Sequence, residues 1–220
     1  RLFGTDGIRG IANSYLTCEL ALKVGRAAGS VLSDGSRRRL LFCVGSDTRI
    51  SSDMLSFSIA SGLCSVGVDV IILGVVPTPA VAYLVGKYKA DAGIMISASH
   101  NPAEYNGIKI FSGDGYKIPD ALEEQIESIV LDDEAEQALS GTDIGKVTYA
   151  TNAIKDYVDH LKSTVMNSLE GLNIAVDCAN GSASVSADKL FAALGANADI
   201  LHNKPDGINI NCDCGSTHIG

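Results

Sequence analysis

The chain has 220 residues, with 17 lysines and arginines against 26 aspartates and glutamates, a formal net charge of −9. This surplus of acid excludes non-specific nucleic-acid binding, which needs a dense basic face. Apolar residues make up 46% of the chain and charged residues 20%, a globular composition rather than a disordered one. All apolar runs are shorter than the roughly 18 residues of a membrane-spanning helix, so we also expect no membrane partner.

The charge is divided unevenly along the chain. Residues 1–110 carry a net charge of +3 and residues 111–220 a net charge of −12, and all seven arginines lie at or before Arg49. Positive charge attracts anionic ligands. We therefore expect an anionic ligand to be bound by the first half.

The cysteines indicate a reducing compartment. Six cysteines are scattered through apolar segments, as Cys43 is in LLFCVG, which is typical of buried thiols rather than of a disulfide framework. No signal-peptide pattern opens the chain, so we predict a cytoplasmic location. Because the chain starts at Arg1 and stops after a loop-like run, we expect a piece of a longer protein.

The first 130 residues alternate helical periodicity with short apolar runs. Thr17 and Glu19 mark a helix start, and Gly35 is its expected end. Continuous apolar runs predict strands buried on both faces. The predicted strands are 40–45, 68–73, 93–96 and 107–111; the predicted helices after the first begin near residues 51, 81 and 119, and a turn is predicted at 77–79.

This alternation predicts an α/β fold with mixed, mainly parallel sheets covered by helices. Residues 131–150, rich in acidic residues, Gly, Ser and Thr, read as a linker, which gives a first domain over 1–145 and a second over 151–220. In the second, a helix over 154–165 precedes a strand, helix and strand at 172–177, 184–194 and 198–201. That order repeats the first domain and indicates an internal repeat.

The strongest candidate for chemistry is the loop 97–102, called the serine loop below, which follows a predicted buried strand. Ligands usually bind at the carboxyl ends of such strands. The loop contains Ser99, His100 and Asn101, and Lys109 lies ten positions after the serine. A serine oxygen, a cation and an acid/base group are what phosphoryl transfer needs. The alternative is a polar turn whose hydroxyls cap the strand end.

Two further segments could contact a phosphate. The opening residues 3–10 contain three glycines and Arg9, which can hold a phosphate through two hydrogen bonds. The alternative there is an ordinary Gly-rich turn. Arg49 follows another predicted strand, and it either binds a phosphate or braces the serine loop through Asp47.

Two other enzymatic interpretations are weaker. A hydrolase would need the serine to bond to the histidine beside it, but neighbours in an extended loop point apart and the Gly-x-Ser-x-Gly elbow is absent. A zinc site could use Cys212 and Cys214 with His202 and His218. Structural zinc prefers Cys-x-x-Cys spacing, and a second cysteine pair is missing.

Together, five motifs resemble the α-D-phosphohexomutase family. The loop 97–102, with residues 106–109 after it, resembles the phosphoserine loop of these enzymes. The other four motifs are residues 3–10, 47–49, 177–181 and 211–218. The resemblance covers essentially the whole chain, in order. It implies phosphohexomutase-like repeated domains, of which this chain would hold the first and part of the second, truncated before the metal loop.

The resemblance also implies residue roles for an intramolecular phosphotransferase, an isomerase. Ser99 would carry the phosphoryl group, donate it to the sugar, and take a phosphate back after the bisphosphorylated intermediate reorients. His100 and Lys109 match positions with acid/base and charge-stabilising roles, and Arg9 matches an arginine of the site. The expected substrate and phosphate contacts are Arg9, Arg49 and Asn101.

The implied cofactor is Mg²⁺, held by the phosphate on Ser99 and by three aspartates of an Asp-x-Asp-x-Asp-Arg loop. That loop does not occur in the sequence, so we expect this chain alone to be inactive. One departure from the family pattern is Ser52, where glycine is frequent, which puts the local loop geometry in question.

Within the family, the resemblance at residues 3–10 implies a hexosamine phosphate substrate. The expected reaction interconverts glucosamine 6-phosphate and glucosamine 1-phosphate, for amino-sugar nucleotide and cell-wall precursor synthesis. Glucose or mannose phosphates in the same chemistry, and a non-catalytic phosphate-binding module, are the open alternatives. The oligomeric state is also open.

Overall fold

The computed structural model describes residues 2–33, 38–132 and 139–218. Within these ranges the strands are β1 (Ile8–Ile11), β2 (Leu41–Ser46), β3 (Asp69–Val75), β4 (Ala92–Ile96), β5 (Tyr105–Ser112), β6 (Val147–Tyr149), β7 (Asn173–Asp177) and β8 (Asn197–Leu201). The helices are α1 (Cys18–Val31), α2 (Ser52–Ser65), α3 (Thr78–Lys87), α4 (Asp120–Asp132), α5 (Ala153–Thr164) and α6 (Ala187–Ala193). The predicted helix end at Gly35 lies outside the described residues.

Six strands form one mixed sheet in the order β1-β5-β4-β2-β3-β6. Strands β4, β2, β3 and β6 are parallel, whereas β5 pairs antiparallel with both β4 and β1. The apolar runs of β2 and β4 are buried along almost their whole length, as expected of central strands covered on both faces. The predicted α/β class, with mixed and mainly parallel strands, is confirmed.

Helices cover both faces of this sheet. Helices α1, α2 and α4 pack on one face around Phe42 and Val44, while α3 and α5 pack on the other around Cys43. The sequence predicts the start of α1 correctly, because the hydroxyl of Thr17 accepts a hydrogen bond from the amide of Leu20. The alternation of side chains along β2 thus supplies two separate apolar cores.

Two short edge strands were not predicted. The opening segment is not a loop throughout, because Ile8–Ile11 pairs with β5. The predicted linker contributes Val147–Tyr149, which pairs with β3, and α5 packs Ala153 and Tyr157 into the first sheet's core. The sheet therefore extends beyond residue 145, the predicted end of the first domain, although the division into two domains itself stays a prediction.

A smaller difference concerns the turn predicted at residues 77–79. Helix α3 already begins at Thr78, with Pro79 in its first turn. Proline is well tolerated there because its missing N–H would have no partner within the helix. The predicted turn is therefore the start of the helix.

The remaining chain forms a smaller unit, in which β7 and β8 are parallel neighbours connected through α6. Its strand–helix–strand order repeats that of β2, α2 and β3. This second unit contacts the loop after β2, where the hydroxyl of Thr48 donates to the carbonyl of Asn180 at 2.6 Å and the amide of Ile50 donates to the carbonyl of Gly207 at 2.8 Å. Across the described ranges, the helices are too short or too polar to cross a membrane.

Candidate active site

The loop 97–102 leaves the sheet where β4 ends. Its first residue stays attached, since the amide of Ser97 donates to the carbonyl of Gly107 on β5 at 3.0 Å. Ser99 is exposed and has a φ of +57°, in the left-handed region that residues other than glycine seldom occupy. Such a conformation costs about 1–3 kcal/mol and persists only where surrounding contacts hold it.

A buried carboxylate holds the amide side of Ser99. The side chain of Asp47 is 2% exposed, and its oxygens accept four hydrogen bonds. One comes from the hydroxyl of Ser97 at 2.7 Å, and that hydroxyl in turn accepts from the amide of Ser99 at 3.1 Å. Another comes from the hydroxyl of Ser52 at 3.0 Å, so the serine that departs from the family pattern adds a donor to this network.

Arg49 holds the carbonyl side of the same loop. Its side chain is fully buried, and its Nε donates to Asp47 at 2.9 Å. Its terminal nitrogens donate to the carbonyls of Ser99 at 3.0 Å, Asn101 at 2.9 Å, and Pro102. The geometry therefore favours the predicted bracing role. It does not support the alternative of a direct phosphate contact, because the guanidinium does not reach the surface.

A second donor to these carbonyls was not predicted from the sequence. The side-chain amide of Asn211 donates to the carbonyl of Ser99 at 2.9 Å and to that of Asn101 at 3.0 Å. Asn211 lies in the second unit, 112 residues after the serine. The sequence marked Asn211 only as the first residue of the motif 211–218. A motif does not show which residues contact each other, so this hydrogen bond could not be predicted from it.

Two of the predicted cations share one counter-ion at the edge of the sheet. Arg9 on β1 and Lys109 on β5 lie 3.6 Å and 3.8 Å from opposite oxygens of the exposed Asp6. Ion pairs this long and this accessible are weak, so both cations can turn toward an incoming anion. The approach of this segment to β5 requires Gly7, where φ is +86° and a Cβ would lie 2.3 Å from the carbonyl oxygen of Ile108.

His100 is exposed and lines a hollow of about 470 Å³ between the serine loop and the second unit. Ile208, Ile210 and His218 line the same hollow. In the part of the chain that the structure describes, His100 and the hydroxyl of Ser99 make no hydrogen bond to each other.

The structure brings together only two of the four residues considered for zinc, His202 and Cys214, within the part of the chain that it describes. Over residues 2–33, 38–132 and 139–218, the cluster with metal-ligand spacing is Asp177, His202 and Cys214, whose ligand atoms lie within 4.8 Å of one another. Cys212 and His218 are not part of it. The carboxylate of Asp177 already accepts from two backbone amides at 2.8 Å and lies 3.0 Å from His202.

The protonation of this cluster also argues against zinc. Burial raises the pKa of the Asp177 carboxyl, but hydrogen bonds from the amides of Ala179 and Gly215 and from His202 outweigh it, so its pKa lies below the usual value. Burial, followed by the charge of Asp177, raises the pKa of the Cys214 thiol. A thiol must lose its proton to bind zinc, so the raised pKa of Cys214 disfavours zinc here, and the cluster is better described as a carboxylate hydrogen-bonded to His202 beside a buried cysteine.

Comparisons with known proteins agree with this geometry. Residues 1–137 match the family described as phosphoglucomutase/phosphomannomutase, alpha/beta/alpha domain I. The chain is 54% identical to the phosphoglucosamine mutase of Acetivibrio thermocellus and 52% identical to that of Clostridium acetobutylicum, matching 100% and 99% of this chain and 49% of each relative. It therefore spans about half the length of the curated relatives it matches.

A solved structure gives the same result for the fold. A phosphoglucomutase/phosphomannomutase family protein from Burkholderia thailandensis superposes with a TM-score of 0.78 at 28% identity, over 94% of this chain and 44% of that one. The resemblance inferred from the five motifs is thus confirmed. The chain belongs to the phosphoglucomutase/phosphomannomutase family.

Proposed function

We propose that this chain is the N-terminal portion of a phosphoglucosamine mutase, an isomerase that interconverts glucosamine 6-phosphate and glucosamine 1-phosphate. The observation that carries the proposal is the exposed hydroxyl of Ser99 on a backbone held at both its amide and its carbonyl. The Acetivibrio and Clostridium relatives described above, both more than 50% identical, bear this name and support the choice of an amino sugar.

In the proposed reaction, phosphorylated Ser99 transfers its phosphoryl group to the free hydroxyl of a sugar monophosphate. The bond from the serine oxygen to phosphorus breaks, a bond from the sugar oxygen to phosphorus forms, and the sugar proton passes to an acid/base group. The bisphosphorylated sugar then reorients and returns its other phosphoryl group to the serine, with the reverse proton transfer. The enzyme ends as it began, so no net reactant besides the sugar phosphate is consumed.

Four side chains around the loop fit separate roles. His100, exposed beside Ser99, accepts and returns the sugar proton. Lys109 and Arg9 supply positive charge to the transferring phosphoryl group. Among the described residues, the buried Nε of Arg9 lacks a partner, so this side chain gains a hydrogen bond if it turns toward an anion. Asn101 contributes its side-chain amide to substrate or phosphate binding.

Mg²⁺ is the cofactor that the family resemblance implies. The described residues do not form its site, because no three carboxylates gather at Ser99 within them. Asp47 is committed to four hydrogen bonds, and Asp6 is paired with Arg9 and Lys109. We assign the carboxylate ligands to a part of the protein outside this chain. The 220-residue chain alone is then inactive.

The sugar specificity is the part of the proposal with a close rival. The Burkholderia protein, at 28% identity, is called a phosphoglucomutase/phosphomannomutase family protein, which leaves glucose and mannose phosphates as the rival substrates. Rates of the full-length protein on glucosamine, glucose and mannose 6-phosphates separate the two. A preference for glucose 6-phosphate would overturn the amino-sugar assignment and leave the phosphoserine chemistry in place.

Six free cysteines accord with the proposed cytoplasmic location.

The covalent role is tested with Ser99→Ala in the full-length protein. We expect phosphate on Ser99 of the wild type, by intact mass and peptide mapping, and loss of both phosphate and turnover in the variant. Ser61→Ala, at an exposed helical serine whose hydroxyl bonds only locally to Phe57, is the matched control and should change neither. Full turnover by Ser99→Ala would refute the phosphoserine mechanism. Phosphate on Ser99 without mutase activity toward any of the three sugars would favour a phosphate-binding module.

A further inference from the structure

The serine loop is held by two side chains that donate to the same two carbonyl oxygens. The carbonyl of Ser99 accepts from Arg49 Nη2 at 3.0 Å and from Asn211 Nδ2 at 2.9 Å. The carbonyl of Asn101 accepts from the same two atoms at 2.9 Å and 3.0 Å. A carbonyl oxygen has two lone pairs, so these donors saturate both acceptors. This set of contacts explains how Ser99 keeps its left-handed backbone.

Asn211 is itself held by the second unit. Its φ is +59°, a conformation that asparagine tolerates better than most residues, and its backbone amide donates to the carbonyl of Ala179 at 2.9 Å. The second unit is joined to the first through Thr48 and Ile50, which follow β2. The side-chain amide of Asn211 therefore reaches the serine loop from a backbone that is hydrogen-bonded to Ala179 within the second unit.

The two donors differ in what they connect. Arg49 and the serine loop both follow strands of the six-stranded sheet, so their contact does not depend on the second unit. Asn211 contacts the same carbonyls from the second unit. If that unit moves away from the loop 47–50, each carbonyl loses one of its two donors while Arg49 stays in place.

We propose that Asn211 is a positioning residue for Ser99, which makes the geometry of the serine depend on how the second unit is seated. Its amide keeps the loop in the conformation that exposes the hydroxyl, without touching the substrate. The inference rests on the proposed function, because the geometry matters to turnover only if Ser99 transfers a phosphoryl group.

The test uses Asn211→Gly in the full-length protein. Glycine keeps the left-handed backbone, so the change removes the amide and little else. Displacing a reacting group by about 1 Å can cost about 100-fold in rate, so we expect kcat to fall about tenfold to 100-fold. KM should stay within about twofold, because the lost contact is not to the substrate. Hydrogen exchange in the peptide 97–103 should become faster.

Asn13→Gly is the matched control. Asn13 is exposed and has a φ of +58°, so the same substitution is made in the same backbone conformation away from the serine loop. Its kcat and the exchange of peptide 97–103 should equal those of the wild type. Asn211→Asp is a second variant of the same shape, in which a carboxylate oxygen faces the two carbonyls, and its kcat should fall further than that of Asn211→Gly.

The outcomes separate this inference from the proposed function. A tenfold or larger loss of kcat with faster loop exchange, seen in Asn211→Gly and not in Asn13→Gly, supports it. A kcat within about twofold of wild type, or a loss confined to KM, overturns it and leaves the phosphoserine mechanism untouched. A wild type with neither turnover nor phosphate on Ser99 overturns the proposed function, and this inference with it.

Discussion

Arg49 joins a buried carboxylate to the backbone of the serine loop, so replacing it should destabilise the fold. In Arg49→Met the side chain stays long but becomes apolar and loses every hydrogen-bond donor. Asp47 then stays buried without its guanidinium partner, and the carbonyls of Ser99 and Asn101 each lose one donor. The variant therefore leaves a charge that the fold cannot easily expose to water.

The size of the loss follows from what Asp47 keeps. Removing one partner of a buried ion pair costs about 3–5 kcal/mol. Asp47 retains hydrogen bonds from the hydroxyls of Ser52 and Ser97 and from the backbone amide of residue 49, which lowers the penalty. We therefore expect a loss of about 3 kcal/mol, against a total stability of roughly 5–15 kcal/mol for folded proteins.

Urea unfolding of the full-length protein, followed by circular dichroism, measures the loss from the shift of the midpoint at a common slope. Arg38→Met is the matched control. Arg38 also makes two hydrogen bonds to an aspartate, Asp91, but its side chain is 61% exposed, so its loss should cost at most about 1 kcal/mol. Equal losses in the two variants would refute the reasoning that burial decides the cost.

Two further predictions concern a helix crossing and the response to acid. Gly62→Ala should destabilise the fold by about 1–3 kcal/mol, because the new Cβ would lie 2.2 Å from the carbonyl oxygen of Leu22. Gly86→Ala, in open space on α3, is the control and should stabilise the fold by up to about 1 kcal/mol. Thermal melts in which both variants shift equally would contradict this prediction. Asp177→Asn should cost stability at pH 7 and less as the pH falls below about 4. The folded-state pKa of Asp177 lies below its usual 3.8, so the carboxylate contributes its full stabilisation above pH 3.8 and loses it as the pH falls through the folded-state pKa. A stability difference between variant and wild type that stays constant from pH 7 to pH 3 would disprove that the charged carboxylate is the cause.

The central strands could be predicted from the sequence, and the edge strands could not. Strand β2 is a run of apolar residues that must be buried on both faces, so composition alone indicates it. Strands β1 and β6 have four and three residues, and β6 is exposed throughout. Their pairing is decided by the open edges of β5 and β3, and such long-range partners are not encoded in local composition.

The position of the serine loop could likewise be predicted from the sequence, but its contacts could not. Ser99 could be singled out because its residue type and its place after β4 are both local properties. The sequence left two roles for Arg49, since only burial distinguishes a brace from an anion site. The contact of Asn211 could not be foreseen, because a side-chain amide that crosses 112 residues leaves no spacing or periodicity to detect.

Burial also changes what the positive charge of the first half means for an anion. The guanidinium of Arg49 is neutralised by Asp47 and used up by backbone carbonyls, so it adds little field at the surface. The cations at the site edge are Arg9 and Lys109, and both contact Asp6. An anion that binds there must compete with Asp6 for two cations, which suits a doubly charged phosphate better than a single carboxylate. The shared counter-ion, rather than the overall charge, therefore supports the proposed binding of a phosphate.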